Sequence, residues 1–186
     1  MRAPAHHRIL QSLKPQLRYL LSPRVLSRIV CCIGIAVLLV FVANSDQAML
    51  RIQQTYAHAT AWVLNVFGEG AAVTTNTVQS QRFGINVVTA CTGIFLTGLF
   101  VIAVVAWPSR LRTTLLGIAF GIATIAGLNV IRLVSLFYIG THLPQWFDVA
   151  HVVVWQSLMI LSAVALWLLW ASTHRTRQAS RDGGSR

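Results

Sequence analysis

The chain has 186 residues, room for one domain, and a composition of 55% hydrophobic and 10% charged residues that no ordinary soluble protein shares. A net charge of +11 would point to nucleic acid in a soluble protein. Here most Arg and Lys stand beside apolar runs, and no soluble module remains once those runs are removed, so the reading is a lipid bilayer as partner and no nucleic acid. The three cysteines imply no disulfide framework.

Residues 1–28 form a basic tail with Arg2, Arg8, Lys14, Arg18, Arg24 and Arg28. The first apolar run, about 29–43, must borrow Val25 and Leu26 to approach the roughly 20 residues that a span needs. A cleaved signal peptide is the alternative, but the basic region is long and no small-x-small site follows, so an uncleaved anchor is favoured. Cys31 and Cys32 inside it read as small hydrophobes. Met49, Ile52, Tyr56, Val63 and Phe67 then recur at helical spacing before Gly68, predicting an amphipathic helix over Gln47 to Phe67, either interfacial or packed. From Ala72 to Val88, Thr and Val predominate, with Phe83, Ile85 and Val87 alternating around Gly84; this predicts a short extended segment or hairpin.

Three further runs follow at about 92–107, 113–131 and 149–170, and a basic tail occupies 171–186. Twelve of the fifteen Arg and Lys residues fall in the two tails and the loop carrying Arg110 and Arg112, whereas the other loops hold Arg51, Arg82, Asp46, Glu69 and Asp148. The predicted fold is therefore an all-α integral membrane protein with four transmembrane helices, 29–170 forming the membrane-embedded domain and both termini cytoplasmic. The residues at the end of the chain read as a disordered tail, and Trp155, Trp167 and Trp170 as lipid-facing.

That topology brings three reactive side chains to one depth: Cys91 at the outer start of span two, Arg132 at the outer end of span three and His151 at the outer start of span four. A thiolate at Cys91 could attack a carbonyl, aided by a helix N-terminus and an imidazole; the bland reading is a small buried thiol. Arg132 could stabilise an oxyanion or grip a carboxylate, or could snorkel to lipid phosphates, with Asn129 one turn earlier as a brace. His151 could take the thiol proton and return it to a leaving amine. His142 is a competing base and Asp148 a possible orienting partner, and the sequence leaves both open. A metal site from His142, Asp148 and His151 lacks a recognised ligand spacing. No cofactor is required. The contrasting class is a non-catalytic membrane scaffold or small transporter subunit, in which Cys91 packs, Arg132 snorkels and His151 caps a helix.

In Ala90-Cys91-Thr92-Gly93-Ile94, Asn129-Val130-Ile131-Arg132-Leu133 and Ala150-His151-Val152-Val153-Val154-Trp155-Gln156, the sequence resembles the exosortase and archaeosortase family of membrane-embedded cysteine transpeptidases. The likeness covers roughly residues 83–170, and with four spans the chain resembles the small, exosortase H-like members. It implies Cys91 as nucleophile, Arg132 as stabiliser of the acyl-transfer transition state and His151 as acid or base. It also implies that the partner is the C-terminal sorting-signal segment of secreted proteins, cut on the outer face of the cytoplasmic inner membrane, with transfer of the new carboxyl end to an acceptor. Phe95 and Leu96 depart from the more polar stretch of that subgroup, which leaves the sorting motif open.

Overall fold

The computed structural model describes residues 22–182; the tail residues before and after these, including most of the predicted basic N-terminal tail, lie outside the described residues. Helix α1 (Pro23–Ala43) starts with proline in its first turn, where no backbone donor is lost, and ends at Asn44, whose N–H returns to Val40 O. It begins six residues before the predicted run and exposes Ile33, Val37 and Phe41, as a lipid-facing surface requires. Helix α2 (Asp46–Val66) is capped by Ser45, carries Asp46 in its first turn, and gives way at Phe67 and Gly68, the glycine at φ +82°.

The face that α2 buries is Met49, Ala57, Thr60, Ala61 and Leu64; of the predicted face Met49 is buried and Tyr56 packs against the core, whereas Phe67 is exposed. Small residues line the contact because α2 lies close against a neighbouring helix, and large residues at those positions would hold the two apart. The segment predicted as extended is a three-stranded antiparallel meander of β1 (Ala72–Thr74), β2 (Thr77–Gln79) and β3 (Gly84–Asn86). Val78 pairs with Ile85, and both are buried with Val87.

A single 3-10 turn, Thr89–Cys91, joins the meander to α3 (Ile94–Ala106). After a short loop, α4 runs from Leu111 to His142, a 3-10 turn follows at Pro144–Trp146, a π-helical turn at Val149–Val154, and α5 at Trp155–Asp182. Among the described residues three segments are long and apolar enough to cross a membrane: Val25–Ala43, Leu111–His142 and Pro144–Thr173. The predicted second span is helical for 13 residues only, about 20 Å of rise against a hydrocarbon core of roughly 30 Å. Its start is fixed by Gly93, whose φ of +64° is the left-handed region that ends the preceding turn.

Helix α4 is longer than the apolar run of 113–131 suggested; its 32 residues rise about 48 Å, well beyond a bilayer core. Its surplus third is the support of a second layer. Leu133, Leu136 and Phe137 pack there against α2, Val78, Ile85 and Val87, and Gly140 is needed because a Cβ would run into the ring of Phe83. We call this assembly the cap. Lower on α4, Ile125 packs with Phe100 and Val104 of α3 and Met159 and Ala163 of α5, forming a separate bundle core. Gly117 and Gly121 face the rings of Trp170 and Phe100, leaving room for aromatic side chains between helices. Trp155, Trp167 and Trp170 are half-buried in this packing, with Trp170 seated against Gly117. Between the two cores, along one stretch of α4, lie Asn129 and Arg132.

Candidate active site

Cys91 is the last residue of the 3-10 turn and is 4% exposed. The turn is held from several sides. The Cys91 N–H donates to Val88 O at 2.8 Å, and Thr92 Oγ1 donates to Thr89 O at 2.7 Å. Gln53 of α2 donates to Thr89 Oγ1 at 3.2 Å and accepts from Asn76 at the same distance, tying the turn to helix and meander. Asn129 of α4, fully buried, donates its Nδ2 proton to the Cys91 carbonyl at 2.6 Å. The predicted bracing of Arg132 by Asn129 is thereby corrected: the amide reaches across to α3's approach instead of along its own helix.

His151 meets this turn from the other side, with Nε2 3.4 Å from Cys91 Sγ. It stands within the π-helical turn, where one extra residue per turn rotates side chains relative to an α-helix, a device frequent at functional sites. When the neutral ring accepts the thiol proton at Nε2, its own proton resides on Nδ1. Asp148 makes no hydrogen bond to His151 among the described residues, and His142 is exposed and stacks on Tyr138, the ring centroids 6.4 Å apart. His142 is therefore not placed at the thiol, and Asp148 does not hold the His151 ring through a hydrogen bond.

Arg132 is 3% exposed, so it does not snorkel outward; its Nη2 donates to the backbone carbonyl of His151 at 3.4 Å. Its buried Nε–H has no partner among the described residues, a situation that costs about 1–3 kcal/mol or more for a charged group and that a ligand would relieve. Arg132 also borders a cleft of about 570 Å³ that runs along the start of α3, with Thr89, Ala90, Gly93, Gln156 and Met159 among its walls. Thus a thiol, an imidazole and a partly unsatisfied guanidinium meet at the junction of cap and bundle, and of the three Arg132 lines the largely apolar cleft, next to the turn that carries Cys91. Chemically, that set can form a covalent bond to an acyl carbon, shuttle one proton and hold a developing negative charge.

Sequence reasoning did not single out Gln53, Thr92 or Gln156. Gln53 falls on the polar side of α2, where nothing distinguishes a structural glutamine from a solvated one; Gln156 stands five residues beyond His151, within the motif quoted above, and could have been noted there. Comparison with known proteins finds no matching family model, curated protein or solved structure.

Proposed function

We propose that this chain is a membrane-embedded cysteine protease or transpeptidase of the exosortase type, which cuts the C-terminal tail of secreted proteins at the outer face of the cytoplasmic membrane and passes the new carboxyl end to an acceptor. The observation that carries the reading is the 3.4 Å approach of Cys91 Sγ to His151 Nε2 beside the buried Arg132. Residues 60 and 41 positions from the cysteine have no local reason to meet it.

In the reaction His151 Nε2 accepts the thiol proton as Sγ attacks the scissile carbonyl carbon. The carbonyl oxygen takes the displaced electron pair, and the resulting charge is held by Arg132. Collapse breaks the C–N bond, and the imidazolium returns its proton to the leaving amine. The thioester left on Cys91 is opened by an acceptor nucleophile, whose proton passes to His151 and then back to the thiol. Burial of the pair excludes water while the thioester forms, which favours transfer over hydrolysis.

Four spans, with both termini cytoplasmic, belong to this proposal. Support comes from the clustering of Arg and Lys in the tails and the loop after α3. The rise from Leu111 to Asn129 is about 27 Å, so a site beginning there lies at one face of the hydrocarbon core, where a substrate anchored by its own helix would present the bond that precedes that helix. Proximity in one membrane plane then supplies much of the positioning. The test is processing of a co-expressed secreted protein with a C-terminal tail of apolar helix and basic cluster, at equal membrane abundance of native enzyme and Cys91→Ala. The proposal expects uncut substrate with the variant; equal processing by both would overturn it.

A further inference from the structure

The meander has two edges, and they are treated differently. Within the sheet Ser80 N–H bonds to Phe83 O at 3.0 Å and Val87 N–H to Asn76 O at 2.9 Å. With the register Val78 opposite Ile85, these bonds set the alternation of an antiparallel ladder: residues 83, 85 and 87 turn their backbone groups toward β2, and Gly84, Asn86 and Val88 turn theirs away. No hydrogen bond is made to the N–H or C=O of Gly84 or Asn86 on that outer side among the described residues. The opposite edge is covered in part: just before β1 the side chain of Asn65 imitates a neighbouring strand, accepting from Ala71 N–H at 2.6 Å and donating to Ala71 O at 2.9 Å, while no hydrogen bond is made to the outward backbone groups of Val73 among the described residues.

The open edge leads to the site. Gly84, Asn86 and Val88 are all exposed, and the next residues, Thr89 and Ala90, are walls of the cleft beside Cys91. From Gly84 to Val88 the chain extends about 13 Å, enough to pair with three or four residues of another backbone. Asn76 holds this strand in shape, donating to Asn86 Oδ1 at 2.9 Å and to Val87 O at 3.0 Å, so the edge is rigid without being covered.

We propose that the extended residues preceding the scissile bond of the substrate add to the outer edge of β3 as a fourth strand, pairing with the backbone of Gly84 and Asn86 so that the reacting carbonyl arrives at Cys91. This rests on the acyl-transfer reading above and adds to it how the peptide is held. Strand addition gives affinity through main-chain bonds that are indifferent to side chains, leaving selection to whatever alternate side chains meet. Both chains lead toward Cys91, so the added strand runs parallel to β3. The exposed Asn86 and the shortness of β3 keep the edge from pairing with other copies of the chain.

The experiment uses the full chain in lipid nanodiscs and a probe of defined chemistry: an acetylated four-residue Val/Thr peptide ending in a chloromethyl ketone, which alkylates a cysteine with loss of chloride. The rate at Cys91 is read by peptide mass spectrometry and divided by the rate with iodoacetamide, which carries no peptide. Methylating the backbone nitrogens of the probe that face β3 should lower the ratio about tenfold. Asn86→Pro, which removes an outward N–H from an edge strand that tolerates proline, should lower it about fivefold, and Asn86→Ala, which loses the same side-chain bond from Asn76 but keeps the N–H, by a smaller factor. Amide hydrogen exchange at Gly84 and Asn86 should slow when the unreactive carboxamide of the same peptide is added, a readout that needs no reactive thiol. Unchanged ratios with the methylated probe, or unchanged exchange at both amides, would overturn strand addition. Iodoacetamide rates that are the same in native protein and His151→Ala would overturn the nucleophile reading instead, and the exchange measurement would still decide the docking.

Discussion

Replacing Asn129 with alanine removes the only side chain that grips the Cys91 backbone from α4. The lost bond is 2.6 Å long and lies in a fully buried place, so the Cys91 carbonyl is left without that donor. A buried polar group stripped of its partner costs about 1–3 kcal/mol. Part of this is offset, because Asn129 Oδ1 is itself buried without a partner and disappears with the substitution; the net expectation is about 1–2 kcal/mol. The effect on chemistry exceeds the effect on stability. Freed from α4, the Thr89–Cys91 turn can shift relative to His151, and a displacement of about 1 Å costs on the order of a hundredfold in rate. Thermal unfolding in detergent should thus show a decrease of a few degrees, while kcat for tail processing falls about a hundredfold with KM little changed. Asn129→Asp should be no better than alanine, since an acceptor would replace the donor opposite the Cys91 carbonyl. Native kcat in Asn129→Ala, or processing restored by Asn129→Asp, would refute the reasoning.

Three other outcomes follow from the same geometry. Arg132→Lys should lose processing about as fully as Arg132→Ala, because an ammonium cannot both reach the His151 carbonyl and keep a planar donor toward the cleft; steady-state kinetics of the two variants checks this. Gly140→Ala should destabilise by about 1–3 kcal/mol, since its methyl meets Phe83, itself wedged at centroid distances of 6.1 Å from Phe137 and 5.9 Å from Phe147; Gly127→Ala, with nothing within 4 Å, should unfold no earlier than the native chain. Deleting Val153 removes the extra residue of the π turn and rotates His151 by about 100° relative to α5. Iodoacetamide labelling at Cys91 should then fall to the level of His151→Ala while the unfolding temperature changes little.

Much of the site was legible because membrane crossings act as rulers. Charge beside apolar runs placed Cys91, Arg132 and His151 at one depth, and the helices bring them together. What was missed lies where sequence spacing and contact part ways. Asn129 was assigned to Arg132 because three residues along a helix are neighbours, but its amide reaches a backbone carbonyl 38 residues away. Hydropathy marked α4 as ending near Ile131, since it reports membrane thickness and not helix length; Arg132 interrupts the apolar run without interrupting the backbone bonds. The face of α2 was read from its large residues, whereas close packing selects Ala57, Thr60 and Ala61. Nothing in Val149–Val154 announces a π turn, because the β-branched run there is compatible with either winding.

The proposed reaction requires that Cys91 carry an acyl group from a cleaved protein. Membranes from cells making the native chain and a tailed candidate substrate can be quenched in acid, digested, and searched by mass spectrometry for the Cys91 peptide bearing the new carboxyl end of the substrate. The account predicts a thioester adduct that neutral hydroxylamine removes, and neither adduct nor cleaved substrate with Cys91→Ala. Cleaved substrate formed at the native rate by Cys91→Ala would contradict it.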